Sequence, residues 1–332
     1  MFPVTSPALP DLDDVRRAAE RIAPHVRRTP VLTSATLDRS TGARLYFKCE
    51  SFQRGGSFKL RGATNAVLSL GDGEAARGVV THSSGNHGAA VALAAAVRGL
   101  PAWVVMPRDS ARVKLEAVRG YGAEVVLCEP TAGAREAAAR RLLDETGAAV
   151  VHPFDDPRVI AGQGTAMLEL LAAVPELDCV FVPVGGGGLA SGTCLAAAGH
   201  PTPVVVVGAE PAAADDAARS LAAGRLESNP PGPVTTIADG LKTGLCERTF
   251  AILSRRLERV VTVGEAEIAA AMRTVWERMK IVVEPSAAVP VAALLSGAAT
   301  AGWSAGRPPR VGVILSGGNV DLDRLPWLEA DR

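Results

Sequence analysis

The fold is decided by the stretch Gly78-Val79-Val80-Thr81-His82-Ser83-Ser84-Gly85-Asn86-His87-Gly88 and by the helical pattern that follows it to about Val97. A short β-branched run ends at small polar residues, and an alanine-rich helix begins there. The same order recurs at the runs 102–106 and 124–127, which precede helical patterns at about 111–121 and 134–146. Further short apolar runs lie at 150–151, 179–184, 204–208 and 311–315. This alternation predicts an α/β protein with open, twisted, parallel-type sheets and flanking helices.

The size and charge of the chain limit the classes of function that are open to it. It has 332 residues, of which 48% are hydrophobic, enough for two packed domains. Its 35 basic and 35 acidic residues give a net charge of zero without a basic block, so we expect no nucleic-acid partner. The apolar run 89–97 is too short to span a bilayer, and the N-terminus lacks the pattern of a signal peptide. The chain is therefore predicted to have no membrane partner.

The cysteines predict a reducing compartment. None of the five belongs to a C-x-x-C pair, and they are scattered as Cys49, Cys128, Cys179, Cys194 and Cys246. Such a distribution is typical of a reduced, cytoplasmic protein that binds no metal through sulfur.

Lys59 has an unusual setting for a lysine. It stands between Phe58 and Leu60, shortly after the glycines Gly55 and Gly56. Lysines are seldom buried unless they are partnered or used chemically. Removal from water lowers the pKa of a lysine, and its amine can then attack a carbonyl group. The setting predicts a Schiff-base lysine for pyridoxal phosphate, with a helix-start lysine that reaches up to water as the alternative.

Two loops that follow strands carry candidate anion sites, since ligands of open α/β sheets lie at the carboxyl ends of strands. The loop His82–Gly88 has more small polar residues than a helix cap needs, and it predicts a carboxylate site at a helix N-terminus. An ordinary N-cap is the alternative.

The second loop is the glycine run Gly185–Gly188. Each glycine costs about 1 kcal/mol relative to alanine in regular structure, whereas its N–H group can approach and cradle a phosphate. With Leu189 and Ala190 the run also matches G-x-G-x-x-A, and Glu210 lies 25 residues after Gly185. The dinucleotide site of a nicotinamide-dependent dehydrogenase is therefore the rival interpretation.

Ser316 follows the apolar run 311–315. A serine hydroxyl at this strand end could bond a pyridine nitrogen, and a neutral partner leaves the ring a weaker electron sink than a carboxylate partner does. Such a ring suits quick β-elimination. The alternative is a plain strand-to-turn transition.

Together these segments resemble the serine/threonine dehydratase and serine racemase family of tryptophan-synthase-β-like, fold type II pyridoxal phosphate enzymes. The resemblance runs from about Arg28 to Leu322, and its motifs lie at 57–62, 83–88, 160–165, 185–188, 237–240 and 316–319. It implies a homodimer with the cofactor in an interdomain cleft. The large cofactor-binding domain would comprise 1–70 and 156–332, and the small mobile domain 71–155.

The resemblance also implies roles for matching residues. Lys59 would bind the cofactor covalently and later remove the Cα proton, with Phe58 beside the ring and Asn86 on its phenolic oxygen. Gly185, Gly186, Gly187, Gly188 and Leu189 would hold the phosphate, and Ser316 would face the ring nitrogen.

Substrate and metal residues are implied in the same way. The substrate carboxylate would be surrounded by Ser83, Ser84 and His87, with Arg135 as a second contact on closure of a lid. A divalent cation would bind outside the active site, at Glu210, the Ala214 carbonyl and Asp216. All-oxygen ligation fits Mg²⁺ or Ca²⁺.

Departures from the family pattern bear on regulation and specificity. Gly55 stands where the family usually has threonine. In nucleotide-activated members this neighbourhood contributes to the effector site, so the glycine argues against nucleotide activation. Phe154 looks more like the threonine dehydratases, since animal serine racemases tend to have asparagine there. The chain stops soon after Leu328, so we expect no regulatory domain and no inhibition by isoleucine.

The leading interpretation is a threonine/serine ammonia-lyase of amino-acid metabolism. One alternative is a serine racemase, in which Ser84 serves as acid or base on the opposite ring face. Another is a 3-hydroxyaspartate ammonia-lyase. The dehydrogenase is the alternative from a different class, and a metabolite-binding protein without catalysis would leave Lys59 without a purpose.

Overall fold

Strands and helices alternate along the residues that this computed structural model describes, namely 8–83, 85–110, 112–230, 232–297 and 306–329. The strands are β1 Val31–Leu32, β2 Arg44–Cys49, β3 Val79–His82, β4 Ala102–Pro107, β5 Glu124–Cys128, β6 Ala149–Val150, β7 Cys179–Pro183, β8 Val205–Pro211, β9 Arg259–Val263 and β10 Arg310–Leu315. The helices are α1 Leu12–Ile22, α2 Ala35–Thr41, α3 Lys59–Leu68, α4 Asp72–Ala75, α5 Asn86–Arg98, α6 Arg112–Gly120, α7 Ala132–Thr146, α8 Pro157–Ala173, α9 Gly188–Ala198, α10 Asp216–Ala223, α11 Glu247–Arg256, α12 Glu265–Met279, α13 Pro285–Leu295 and α14 Pro326–Glu329. Within this part of the chain, no helix is both long and apolar enough to cross a bilayer.

The chain forms two compact units. Unit 1 comprises Met1–Arg27 and Lys59–Gln163, and unit 2 comprises Arg28–Phe58 and Gly164–Arg332. The domain bounds inferred from the family resemblance stay a prediction.

Unit 1 is built on a four-stranded sheet in the order β5-β4-β3-β6, and all its pairs are parallel. Helix α5 follows β3 and is buried along most of its length, because its many alanines let it pack closely. At the start of α5, a Cβ on Gly88 would lie 2.7 Å from Cγ1 of Val104 in β4. Glycine is therefore needed there, and this close approach fixes the end of β3 and the loop after it.

Unit 2 is built on a six-stranded sheet in the order β1-β2-β10-β7-β8-β9. All its pairs are parallel except β1 with β2. Helix α13 is apolar on every side and buried along its length, as expected for a helix inside the core. Because β7, β8 and β10 run parallel, the residues that follow them lie at one edge of the sheet. The predicted α/β fold with two mostly parallel sheets and flanking helices is confirmed.

Candidate active site

Lys59 is the first residue of α3 in unit 1, and it is half-buried. Its Nζ donates a hydrogen bond of 2.9 Å to the carbonyl oxygen of Pro153. The start of the helix is fixed behind it, because Gly62 N donates to Oε1 of Gln163 at 3.0 Å. A Cβ on Gly62 would also lie 2.7 Å from the Val159 carbonyl oxygen. The backbone of Lys59 is thus held firmly, and its amine is held by a main-chain acceptor.

The acceptor belongs to the segment Val151–Asp155, which gathers several contacts within unit 1. The Val151 carbonyl accepts from Oγ1 of Thr81 at 2.8 Å and faces Nε2 of His87 at 3.0 Å. Nδ1 of His152 accepts from Asp155 N at 2.8 Å, which shapes the turn around Pro153. The rings of His152 and Phe154 meet edge to face, with 4.8 Å between their centroids. This segment therefore positions the acceptor of the Lys59 amine.

His87 is 2% exposed, and burial, aided by the positive charge of Lys59, holds its pKa well below the usual value. Since a carbonyl oxygen only accepts, Nε2 must carry the proton that faces Val151, and Nδ1 is then a bare acceptor. Nδ1 has no hydrogen-bond partner within the described part of the chain. A neutral His87 thus ties α5 to the Val151–Asp155 segment and has no N–H group left for a carboxylate. Its predicted contact with the substrate stays a prediction.

The predicted substrate loop lies between β3 and α5. Ser83 is half-buried, and its Oγ accepts from Gly85 N at 3.2 Å. Asn86 begins α5, and Gly85, its N-cap, makes no side-chain cap hydrogen bond. Ser84 lies outside the described residues. The start of α5 therefore presents main-chain N–H groups, which suit an anion.

Two cationic side chains lie near this loop. A Cβ on Gly85 would lie 3.7 Å from Nζ of Lys114 in α6. Burial lowers the pKa of His82 to about 4, and the positive charge of Arg135, half-buried in α7, adds to this effect. Sequence reasoning proposed Arg135 but missed Lys114, which looks like an ordinary surface lysine of a helical pattern. Unit 1 therefore brings Lys59, His87 and the 83–87 loop together with two cations.

In unit 2, the glycine loop Gly185–Gly187 joins β7 to α9. Gly187 has φ of +82°, and a Cβ there would lie 2.7 Å from Cδ2 of Leu245 and 2.8 Å from Cβ of Thr249. A Cβ on Gly185 would lie 2.9 Å from Cα of Leu241. Helix α9 begins at Gly188 without a side-chain cap, and Leu189 behind it is buried. A loop that side chains would crowd, at an uncapped helix N-terminus, fits a phosphate group.

Ser316 and Phe58 meet in unit 2. Ser316 follows β10 and is 2% exposed, and its carbonyl oxygen accepts from Phe58 N at 3.0 Å. A bridge between Ser57 and Gly317 continues this pairing. The predicted ring partner and the residue predicted to lie beside the ring are therefore held against each other by their backbones.

Glu210 and Asp216 form a buried acidic pair at the end of β8. Oε1 and Oε2 of Glu210 accept from Ala217 N at 3.1 Å and Ala218 N at 3.0 Å. Burial raises the pKa of Glu210 to about 8, and the charge of Asp216 adds to this rise. Burial also raises the pKa of Asp216. Ala214, buried on the turn before α10, brings a carbonyl oxygen to the same stretch.

Two buried carboxylates that repel each other fit a cation, which would hold both ionised. No group of three or more His, Cys, Asp or Glu side chains able to hold a metal occurs among the described residues. The predicted set uses only two such side chains and a carbonyl, and the cation stays a prediction.

Residues 22–317 match the protein-family model described as "Pyridoxal-phosphate dependent enzyme". The chain belongs to this family. It is 48% identical over 319 residues to a β-hydroxyaspartate dehydratase of Paracoccus denitrificans, and this alignment covers 96% of this chain and 99% of the relative. It is 48% identical over 314 residues to a serine racemase of Dictyostelium discoideum, covering 95% and 96% of the two chains.

Comparison with solved structures gives the same family. The fold matches maize serine racemase with a TM-score of 0.93 at 44% identity over 98% of both chains. It matches the T.th. threonine deaminase with a TM-score of 0.88 at 47% identity over 94% of this chain and 99% of that one. The resemblance to fold type II, tryptophan-synthase-β-like enzymes is confirmed, and pyridoxal phosphate is the cofactor that the family implies. This membership decides against the nicotinamide-dependent dehydrogenase.

Proposed function

We propose that this protein is a pyridoxal-phosphate-dependent ammonia-lyase that converts a β-hydroxy amino acid to a 2-oxo acid and ammonia. The observation that carries the proposal is the hydrogen bond of 2.9 Å from Lys59 Nζ to the Pro153 carbonyl, on the segment that carries Phe154. Elimination needs one base for the Cα proton, and a positioned amine with an acceptor for its protonated form meets that need. The serine racemase and threonine deaminase relatives support a small amino acid as substrate.

The cofactor, when bound, would withdraw electrons from the substrate and so acidify its Cα–H bond. In unit 2, the N–H groups of Gly185 to Leu189 would hold its phosphate, and the Ser316 hydroxyl would be a neutral partner for its ring nitrogen. In unit 1, Asn86 would bond its phenolic oxygen. These assignments rest on the glycine loop, where side chains would not fit, and on the burial of Ser316.

Lys59 does the acid–base work in this proposal. Its Nζ takes the Cα proton, and the resulting ammonium donates to the Pro153 carbonyl. The β-hydroxyl leaves, the proton and the hydroxyl are lost together as water, and the released enamine hydrolyses to the 2-oxo acid and ammonia. The N–H groups at the start of α5 bind the substrate carboxylate and so orient the Cα–H bond towards the base. His87 stays neutral and keeps the Val151–Asp155 segment in place.

A second candidate is a 3-hydroxyaspartate ammonia-lyase, and the observation that favours it is the pair of cations beside the 83–87 loop. A substrate with a carboxylate on its β-carbon needs a cationic partner beyond the helix N-terminus. Lys114 and Arg135 supply two in unit 1. The β-hydroxyaspartate dehydratase relative supports the same substrate.

The test is product analysis of the purified holoenzyme with L- and D-serine, L- and D-threonine and the isomers of 3-hydroxyaspartate. We expect release of 2-oxo acid and ammonia in equal amounts from at least one of them. The preferred substrate distinguishes the two lyase candidates. Faster formation of the opposite enantiomer than of oxo acid would instead establish a racemase, with Ser84 as the second acid–base residue to test.

A further inference from the structure

The sequence motif 160–165 lies in α8, and its first four residues belong to unit 1. There it packs against the first turn of α3, through a glycine from each helix. A Cβ on Gly162 would lie 2.6 Å from the Arg61 carbonyl oxygen and from Cα of Gly62. In the opposite direction, a Cβ on Gly62 would lie 2.7 Å from the Val159 carbonyl oxygen. The two helix backbones are therefore in direct contact, and a side chain on either glycine would push the first turn of α3 away.

Gln163 adds a polar contact to this helix crossing. It is fully buried, and its Oε1 accepts the hydrogen bond from Gly62 N at 3.0 Å. Its Nε2 is also buried and has no hydrogen-bond partner within the described part of the chain. A buried donor without a partner lowers stability, so packing alone does not explain an amide at this position. The contact that accounts for the glutamine is the one between its oxygen and Gly62.

The same half of α8 also holds the acceptor of the Lys59 amine. Helix α8 begins at Pro157, four residues after Pro153. The chain between them is fixed at Asp156, which is fully buried and accepts at Oδ1 from Arg158 N at 2.8 Å. The Arg158 guanidinium binds the other oxygen of the same carboxylate at 2.8 Å. One helix therefore positions both partners: the amine through the first turn of α3, and the acceptor through the turn before α8.

We propose that Gln163 is a positioning residue for Lys59: through Gly62 it holds the first turn of α3 on α8, where Nζ of Lys59 meets the Pro153 carbonyl. This role rests on the role of Lys59 under "Proposed function". Removal of the Cα proton and attachment of the cofactor both need the amine to approach along one direction. A small shift of the helix start changes that direction, and reaction rates fall steeply with such misplacement.

Two substitutions at Gln163 separate the effect of its oxygen from the effect of its volume. Gln163→Met keeps the length of the side chain but removes the acceptor of the Gly62 N–H group. Gln163→Glu keeps an oxygen for that group, and burial favours the neutral form of the new carboxyl group.

The matched control is Asn65→Leu, which removes another buried amide between the same two helices. Nδ2 of Asn65 donates to the Arg158 carbonyl at 2.7 Å. Asn65 lies more than one turn beyond Lys59 along α3, so its loss should weaken the helix contact without moving the amine.

The first measurement follows capture of pyridoxal phosphate by the cofactor-free protein, through the growth of visible absorption. In this step the Lys59 amine forms a C=N bond with the aldehyde carbon of the cofactor, and water leaves. For Gln163→Met, we expect capture to slow by about tenfold, since a misplacement of about 1 Å can cost up to about a hundredfold. Gln163→Glu should capture the cofactor almost as fast as the unmodified protein. Asn65→Leu should lose stability in urea unfolding, as Gln163→Met does, but should capture the cofactor at the unmodified rate.

The second measurement is turnover of the holoenzymes with the substrate that product analysis identifies. Gln163→Met should lower kcat by about tenfold and change KM little, because the substrate carboxylate binds at the start of α5 and not at the amine. A substrate deuterated at Cα should show a larger isotope effect on kcat in this variant than in the unmodified protein, because proton removal then limits the rate.

Unchanged capture and unchanged kcat in Gln163→Met would overturn the proposal. Equal losses of capture in Asn65→Leu and Gln163→Met would also overturn it, because the contact would then serve stability alone. If Gln163→Met does not fold, Gln163→Asn replaces it with the same expected losses, since the shorter amide draws the oxygen back from Gly62 N. Captured cofactor on another lysine would refute the role of Lys59 instead. Capture as predicted, without formation of oxo acid, would support the positioning role and refute only the lyase.

Discussion

Gly187→Ala is the most demanding test of the glycine loop. The added Cβ meets two penalties: a φ of +82°, which costs a residue with a side chain about 1–2 kcal/mol, and carbon atoms of Leu245 and Thr249 at 2.7 and 2.8 Å. Crowding in a packed region costs about 1–3 kcal/mol. Together the two penalties predict that the free energy of unfolding falls by about 2–5 kcal/mol.

The matched control is Gly224→Ala. Gly224 also has positive φ, +66°, but a Cβ there meets nothing within 4 Å. It therefore isolates the backbone penalty, about 1–2 kcal/mol. The assay is urea unfolding of both cofactor-free variants, followed by titration with pyridoxal phosphate. Gly187→Ala should be the less stable of the two and should bind cofactor more weakly, whereas Gly224→Ala should bind it normally. Equal stabilities, with equal cofactor binding, would refute the crowded-loop reasoning.

Three further predictions concern unit 1. His152→Leu removes the His152 acceptor of the Asp155 N–H group and loosens the turn around Pro153; because such a hydrogen bond contributes about 0.5–1.5 kcal/mol net, turnover should fall by about twofold to tenfold. His152→Asn, which offers an oxygen to the same donor, should recover most of the lost turnover, and equal losses in the two variants would contradict the positioning role. Burial lowers the pKa of His82 to about 4, so between pH 6.5 and 4 the unfolded chain binds the proton more readily than the folded protein does. The stability that neutral His82 contributes is therefore complete above pH 6.5 and is lost as the pH falls towards 4. His82→Gln should flatten this part of the plot of unfolding free energy against pH, measured by urea unfolding. Lys114→Met should raise KM for 3-hydroxyaspartate by about tenfold, the loss of a hydrogen bond to a charged group, while changing KM for serine less; equal changes would argue against a β-carboxylate partner.

Local patterns in the sequence predict much of the fold. Strands β3 and β7 are short and rich in valine. Ser83 directly follows β3 and the glycine run begins two residues after β7, and both strands were predicted to within two residues. Strand β2 was missed because Arg44 and Lys48 interrupt its apolar pattern. Lys48 is nevertheless 1% exposed, since its Nζ pairs with Glu169 at 2.6 Å across 121 positions of the chain. A partner so distant in sequence leaves no local pattern.

The candidate site divides in the same way. Local sequence patterns predict three parts of the site: Lys59, the glycine loop and the loop before α5. They do so because glycines and small polar residues at strand ends serve few other purposes. The Pro153 carbonyl has none, since any residue carries a carbonyl and only the fold brings it to Lys59, 94 positions away. Asp216 likewise accepts a hydrogen bond of 2.9 Å from the main-chain N–H group of Leu245, and the sequence does not distinguish that N–H group from any other.

Peptide mapping after reduction shows directly whether Lys59 carries the cofactor. The holoenzyme is reduced with borohydride, digested, and mapped by mass spectrometry for the peptide that bears the reduced cofactor. We predict the modification at Lys59 alone, together with loss of the visible absorption band and of oxo-acid formation. A reduced cofactor on Lys48, Lys114, Lys242 or Lys280, or on no lysine at all, would contradict it.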